Sequence, residues 1–563
     1  MTRPKTKGLL GELLVRRGVV TEEQITAALA LQAGSGKRLG EILVDMGALD
    51  EQRLVDALAD FFDMPVTHLR RDAPDPAALA LVPEEIAREH LVIPVHIDGD
   101  GLRVAVAQPS DDLRFLLSET SGRSVRLQLA SVSDIRWAID RSYKATGGVG
   151  KMVQAFEAVE RTRKRDVRTG TTGLVTENAP VVQVVDSILT QAIRDRASDV
   201  HIEASQDVIY VRFRIDGALK DVLELPVAMG MGLVSRIKIM GGIDIVEKRR
   251  AQDGQFTTTV DGKDTDVRVA TVSTIWGESC VMRILDKNRS VLRLDDLGMP
   301  ADTYEAYTKT VHSAFGLVLC AGPTGSGKTT TLYATLSELT DRSRKVMTIE
   351  DPVEFVVPML NQIQTNESAG LTFATGLKAI LRQDPDVILV GEIRDVETAR
   401  IAVQSSLTGH FVLSSVHGTD SVSALHRFLD MGIESFLISS SVIAVVGQRL
   451  LRRICPSCKT RYTPSAEELS FYEENGGEAK SEFWHGAGCN FCAGIGYLDR
   501  IGVYELLRMT PELKRLIVGW ATQDELRRMA EKQGMRTLRD EAINLVALDT
   551  TTISEVMRSI YSA

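Results

Sequence analysis

No stretch of the sequence approaches the ~20 uninterrupted apolar residues that a membrane-spanning helix requires. An excess of positive charge is also missing: 66 Lys and Arg stand against 76 Asp and Glu, a net charge of −10. A general nucleic-acid binder is usually basic, so any polyanion must be bound locally. Aromatic residues make up only 5%, and six cysteines in 563 residues are too few for a disulfide scaffold. The N-terminus, MTRPKTKGLLGELL, reaches Glu12 before an apolar core or cleavage site forms, which speaks against a signal peptide. What is present is 44% hydrophobic and 25% charged sequence, ample for several cores. At about 100–200 residues per domain, roughly three to five units are expected. These terms together predict a cytosolic, multidomain chain.

The first 62 residues contain an internal repeat. Leu10-Gly11-Glu12-Leu13-Leu14-Val15 recurs 29 positions later as Leu39-Gly40-Glu41-Ile42-Leu43-Val44, and Gly18 recurs as Gly47. Each copy predicts a short helix, a turn at glycine, then a helix with apolar residues at helical spacing (Ile25, Ala28, Leu29; Leu54, Ala57, Leu58). The plain reading of 1–62 is a small helical packing module. Residues 63–145 mix helix and strand patterns, with strands over 92–97 and 102–107 around an Asp-Gly-Asp-Gly turn. Together 1–145 form an N-terminal unit. Residues 146–177 turn rich in Gly and Thr and crowd Arg161, Arg163, Lys164, Arg165 and Arg168, which predicts a flexible linker with a helix near 151–163. Its basic run reads either as a solvated face or as a contact for anionic lipid. Residues 178–295 predict a compact α+β unit, with a helix over 180–196 and strands over 208–213, 255–260, 266–270 and 279–285. From 296 to 563 strands alternate with helices, the pattern of an α/β domain with a mostly parallel sheet, and the chain closes in a helical tail.

The strongest chemical signal is Gly322-Pro323-Thr324-Gly325-Ser326-Gly327-Lys328-Thr329, followed by Thr330. It fits the phosphate-binding pattern GxxxxGK[ST], with an apolar strand at 317–320 leading in and a helix at 330–339 leading out. Glycines let successive backbone N–H groups turn toward a phosphate at a helix N-terminus. Lys328 supplies charge at the β- and γ-phosphates, and the Thr329 hydroxyl can ligate Mg²⁺.

Phosphoryl transfer to water also needs a group that orients or deprotonates the nucleophile. Asp386-Val-Ile-Leu-Val-Gly-Glu392 is a buried-strand run ending in such a carboxylate. Glu350, Asp351 and Glu354 crowd a loop after another strand, where they repel one another unless a metal, arginines or protons intervene. Beside a phosphate loop, metal and water handling is the better reading of that loop. His417 ends the strand at 411–415, on the edge where α/β ligands bind. It reads either as a structural residue or as a sensor of the γ-phosphate. Cys455-Pro-Ser-Cys458 and Cys489-Asn-Phe-Cys492 are paired knuckles that can supply four thiolates to a structural Zn²⁺, closing a lobe over 453–497. A redox or unmetallated dithiol is the other reading. Cys280 and Cys320 sit in apolar strands as ordinary core thiols.

The stretches GPTGSGKTTTLYATL, TIEDPVEF, LRQDPDVILVGEIRD and TGHFVLSSVH, with the cysteine pairs, resemble secretion ATPases of the GspE/PilB family. ENAPVVQ, SDVHIE and VRFRIDG lie upstream in family order. The resemblance covers roughly 178–563 closely and 1–145 more loosely. It implies a RecA-like P-loop ATPase domain preceded by a PAS-like intermediate domain and a small helical and α+β N-terminal domain. It also implies a homohexamer that hydrolyses ATP to drive pilin or pseudopilin assembly, for type IV pili or type II secretion. The partners implied are an inner-membrane platform protein and a cytoplasmic docking component, met at the cytoplasmic membrane face, with no specific nucleic acid. On that reading Glu350, Asp351 and Glu354 form the Asp box, Glu392 is the Walker B carboxylate and His417 belongs to the His box. Arg212 matches an arginine that reaches a nucleotide phosphate across a subunit boundary, and Arg344 one just before the Asp box; Arg268 and Arg283 are weaker matches of this kind.

Two departures stand out. The family commonly reads STLHT where this chain has SSVHG. The N-terminal repeat resembles a cyclic di-GMP module built on tandem RLGxxL…Q motifs, carried here by Leu10, Gly11 and Gln32 and by Arg38, Leu39 and Gly40. The first copy has Leu9 in place of arginine and the second has Phe61 in place of glutamine, which removes a guanidinium partner for a phosphate. Docking a machine component is the other role open to this repeat. The competing readings of the whole chain are a DNA-translocating or conjugation-type ATPase and a pilus retraction motor. The acidic balance speaks against the first; the long N-terminal unit and cysteine lobe speak against the second.

Overall fold

The computed structural model describes residues 10–35, 38–165, 180–285, 293–341, 343–492 and 494–561. The repeat folds as expected into two helix pairs, Leu10–Arg16 with Glu22–Ser35 and Leu39–Asp45 with Glu51–Phe62. The turn glycines Gly18 and Gly47 take φ of +66° and +67°, a region open to glycine at no steric cost. Asp50 caps the last helix by accepting the N–H groups of Gln52 and Arg53. Leu14, Ala28, Leu43 and Ala57 are buried between the pairs.

A three-stranded sheet follows, in which Val92–Asp98 runs antiparallel and Ser124–Leu129 parallel to the central Gly101–Val106. The helix Val132–Ser142 packs Ile135, Ala138 and Ile139 onto it. Within the expected linker, the helix predicted near 151–163 is present. Residues Ala145–Gly148 and Val149–Arg165 are helical. Val149, Met152, Val153 and Phe156, at i, i+3, i+4 and i+7, form an apolar stripe against the core around Pro180–Arg194. The side chains of the basic run and residues 166–177 lie outside the described residues.

The intermediate unit is a six-stranded antiparallel sheet in the order Ala218–Pro226, Val208–Ile215, Asp199–Ala204, Gly277–Leu285, Lys263–Thr274, Gln252–Val260. Burial alternates strictly along Val208–Ile215, because the helices Pro180–Arg194 and Gly230–Met240 cover one face.

The C-terminal unit is built on a seven-stranded sheet in the order Asn361–Gln364, Val346–Glu350, Val387–Val390, Phe411–Val416, Gly316–Ala321, Val442–Ile454, Tyr497–Arg508. The first six strands are parallel and the last is antiparallel. Gly316–Ala321 and Phe411–Val416 are buried at every position, as central strands covered on both faces must be. Parallel pairing brings the C-terminal ends of the strands before Gly322, Gly391, His417 and Asp351 to one edge. The cysteine lobe adds the small hairpin of Lys459–Tyr462 with Phe483–Gly486, and helices from Pro511–Val518 to Ile553–Val556 close the chain.

Candidate nucleotide site and metal lobe

The phosphate loop joins strand Gly316–Ala321 to helix Lys328–Leu339. Gly325 and Gly327 stand at φ of +78° and +88°, which turns the backbone as an anion cradle requires. Gly322 and Gly327 are also needed for space. A Cβ on Gly322 would meet Ser326 Oγ at 2.4 Å, and one on Gly327 would meet Gln448 Nε2 at 2.8 Å. The loop is therefore pressed onto Gln448, from the neighbouring strand, whose Oε1 accepts from Thr331 Oγ1 at 2.9 Å. Pro323, Thr324 and Gly325 are exposed, Ser326 is buried, and Thr329 and Thr330 are half-buried at the helix start. Lys328 folds back to donate to the carbonyls of Gly322 at 2.8 Å and Pro323 at 3.0 Å. Burial pushes its pKa below the ordinary lysine range, so an arriving phosphate would favour the charged form and draw the ammonium forward.

Glu392 follows the strand Val387–Val390 across Gly391, whose N–H donates to Ile349 O at 2.8 Å. His417 Nε2 lies 2.7 Å from one carboxylate oxygen of Glu392, and Arg394 Nε donates to the other at 2.7 Å. The Glu392 side chain is only 15% exposed while that of His417 is 42% exposed, so the imidazole is the more accessible member of the pair. Arg394 is a site residue that the sequence reading missed; its place two residues after Glu392 was the only available signal. The glycine after His417 has a local cause: a Cβ on Gly418 would lie 3.0 Å from Ala424 Cβ, in the next helix.

The three Asp-box acids separate. Glu350 is 4% exposed and accepts from the hydroxyls of Tyr333 and Thr348 and from Gln362 Nε2. The repulsion expected of this cluster is relieved at Glu350 by protein donors, so this carboxylate anchors the loop from within instead of facing the edge. Asp351 and Glu354 are exposed. Arg344 is half-buried in the turn before Val346–Glu350. Arg212 lies in the intermediate sheet, ion-paired with Glu203. Arg268 and Arg283 line a groove of about 570 Å³ on that sheet with Asp199, to which Arg283 Nε donates at 3.0 Å.

The four knuckle cysteines converge. Cys455 and Cys489 Sγ are 3.8 Å apart, Cys458 and Cys492 3.8 Å, and Cys489 and Cys492 3.7 Å. A tetrahedron of ~2.3 Å metal–sulfur bonds has edges of ~3.8 Å. The N–H groups of Gly488, Cys489 and Gly496 point at sulfur at 3.2–3.3 Å, donors that stabilise thiolate charge. The donor set thus fits a soft tetrahedral metal and leaves no open position. Cys280 and Cys320, by contrast, are buried thiols pushed up to about 12 by desolvation.

In the N-terminal repeat, Gly11 and Gly40 are packing positions. A Cβ on Gly40 would lie 2.9 Å from Leu54 Cδ1, and one on Gly11 3.4 Å from Ile25 Cγ2. Arg38 is exposed, its N–H donating to Glu41 at 3.0 Å, and Gln32 and Leu39 are half-buried. The side chain of Leu10 lies outside the described residues.

The sequence model of the type II/IV secretion system protein family matches residues 175–558, and that of the MshEN domain matches 62–149. The type IV pilus assembly ATPase PilB of Myxococcus xanthus is 38% identical over 561 residues, 98% of each chain. The type II secretion system protein E of Xanthomonas campestris is 36% identical over 555 residues, 97% of each chain. The ATPase DotB of Legionella pneumophila superposes with a TM-score of 0.51 over 70% of this chain and 98% of its own, at 19% identity, a likeness of fold alone. With a phosphate loop, a strand-end glutamate and a histidine gathered at one sheet edge, this chain belongs to the type II/IV secretion system protein family and is one of its ATPases.

Proposed function

We propose that this chain is the motor of a pilin or pseudopilin assembly machine, working as a homohexamer on an inner-membrane platform protein at the cytoplasmic face. The observation that carries its chemistry is Glu392, held between His417 and Arg394 at the phosphate-loop edge. ATP phosphates would lie on the loop N–H groups, with Lys328 leaving its own carbonyls to meet them. Thr329, with Asp351 and Glu392, would hold Mg²⁺, which neutralises charge across the β- and γ-phosphates. Glu392 orients the attacking water, Glu354 supplies a second carboxylate at the same edge, and His417 links the γ-phosphate to Glu392. Glu350 keeps the Asp-box loop in place. Cys455, Cys458, Cys489 and Cys492 would hold a structural Zn²⁺.

Arg212 completes a neighbour's site from across the subunit boundary, and Arg344, just before the Asp-box strand, is a further phosphate-side arginine. The test is to mix two inactive variants, Lys328→Ala and Arg212→Ala, in one ring. Where Arg212 acts in trans, some boundaries carry both wild-type groups and turnover returns. No return at any mixing ratio, with hexamers present, would overturn the assignment. Turnover stimulated by DNA would instead favour a translocase.

The repeat is assigned to docking of a cytoplasmic machine component, because its first copy has Leu9 where a phosphate-binding arginine would stand. Cyclic di-GMP is the second reading, supported by the Arg38-Leu39-Gly40 of the second copy and the Gln32 of the first. Calorimetry of the full chain with the dinucleotide separates them: saturable heat supports binding, and none at high micromolar leaves docking.

A further inference from the structure

The second cysteine knuckle does more than close a lobe. Phe491, between the ligand positions Cys489 and Cys492, is fully buried, and its neighbours belong to the N-terminal unit. Its ring lies 4.4 Å from that of Trp137, on helix Val132–Ser142, in the cluster formed by Ile135, Ala138 and Ile139. Trp137 is in turn covered by two guanidinium groups, Arg70 at 5.1 Å and Arg141 at 5.3 Å. The first knuckle reaches the same place, since the Ser457 hydroxyl donates to the carbonyl of Arg70. Beside it, Asp499 pairs with Arg196 at 2.6 Å and its N–H donates to Asp216 at 3.1 Å, so the intermediate sheet is tied to the lobe as well.

A phenylalanine with a metal ligand two residues before it and another directly after it is not free to move independently of them. As thiolates, four sulfurs at 3.7–3.8 Å spacing repel one another, and a bound cation that balances this charge would also pin that backbone. We propose that the cysteine lobe is the clasp that fastens the N-terminal unit to the ATPase unit, with Phe491 as the plug, so that metal loading governs their docking. This rests on the zinc reading above, and the two can fail separately.

The test is hydrogen exchange on the full chain in four states: zinc-loaded wild type, zinc-loaded Phe491→Ala, wild type stripped by a chelator under reducing conditions, and the stripped chain with zinc ion restored. Phe491→Ala is expected to retain about one zinc per chain. Amides of Val132–Ser142 should nonetheless exchange about tenfold faster or more, while Gly316–Ala321 stays protected. The stripped chain should show the same local rise, and restored zinc should reverse it. Unchanged protection of Val132–Ser142 in Phe491→Ala overturns the plug. Unchanged protection after stripping overturns control by the metal. Wild type that binds no zinc refutes the metal reading itself, and the Phe491→Ala comparison then judges the plug alone.

Discussion

The phosphate loop and the N-terminal repeat are both written around glycine, and the structure gives the residue different work in each. In the loop, Gly325 and Gly327 sit at φ of +78° and +88°, and a side chain at Gly327 would strike Gln448. Conformation disfavours any other residue at both positions, and space does so as well at Gly327. In the repeat, Gly11 and Gly40 lie within helices, and what they provide is close approach for Ile25 and Leu54. Gly11 with Ile25 and Gly40 with Leu54 are the same pair at an offset of 29, so the repeat in sequence is a repeat in packing. A glycine motif therefore does not by itself mark a turned, anion-binding backbone. In the repeat the same letters describe a helix crossing.

Four substitutions test that contrast. Glu392→Gln removes the carboxylate that the loop serves, and kcat should fall by about 10²–10⁴ with ATP still bound in a filter or fluorescence assay. Near wild-type turnover would remove Glu392 from the mechanism. Gly327→Ala should lower kcat/KM by about 10², because displaced N–H groups no longer meet the phosphate, while the melting temperature of the N-terminal unit stays unchanged. Gly40→Ala should do the reverse, destabilising the repeat by about 1–3 kcal/mol through crowding of Leu54 and leaving turnover intact. A matched loss of turnover would mean that the repeat is wired to the site. Gly11→Ala is the mildest. At 3.4 Å from Ile25 the new methyl makes an ordinary contact, and helix propensity should stabilise by up to about 1 kcal/mol. Marked unfolding in a denaturant melt would show that this crossing is tighter than its geometry.

Much of the site was legible in the chain because its elements carry local signals. GxxxxGK[ST] between a strand and a helix, a hydrophobic run ending in glutamate, and two CxxC pairs each need only their immediate neighbours. What escaped was relational. Gln448 supports the phosphate loop although it lies far along the chain, because Val442–Ile454 happens to pair with Gly316–Ala321. Arg394 stands beside a conspicuous glutamate, yet only the folded turn directs its guanidinium back to it. Glu350 was read with the exposed acids beside it, and its own strand turns it into the core. The strand Ala218–Pro226 was missed for a related reason. It is an edge strand carrying Lys220, Asp221 and Glu224, and its half-exposed pattern blurs the alternation that marks a strand. The helix Val149–Arg165 was legible near 151–163 despite the Gly and Thr around it, and what the sequence did not show is that Val149, Met152, Val153 and Phe156 pack against the core of the intermediate unit.

The chain alone carried the chemical expectations: a loop of phosphate-cradle pattern, strand-end carboxylates, and four cysteines at metal spacing. Such motifs are short, and their function follows from residue types at fixed local distances. Folding decided who serves whom. Strand order set Glu392 between a histidine and an arginine, brought Gln448 under the loop, and buried one Asp-box acid while exposing two. It also placed Phe491 of a metal knuckle in the core of the N-terminal unit. These choices depend on contacts between residues far apart in sequence, and burial and pairing across such distances leave little trace in any short stretch of the chain.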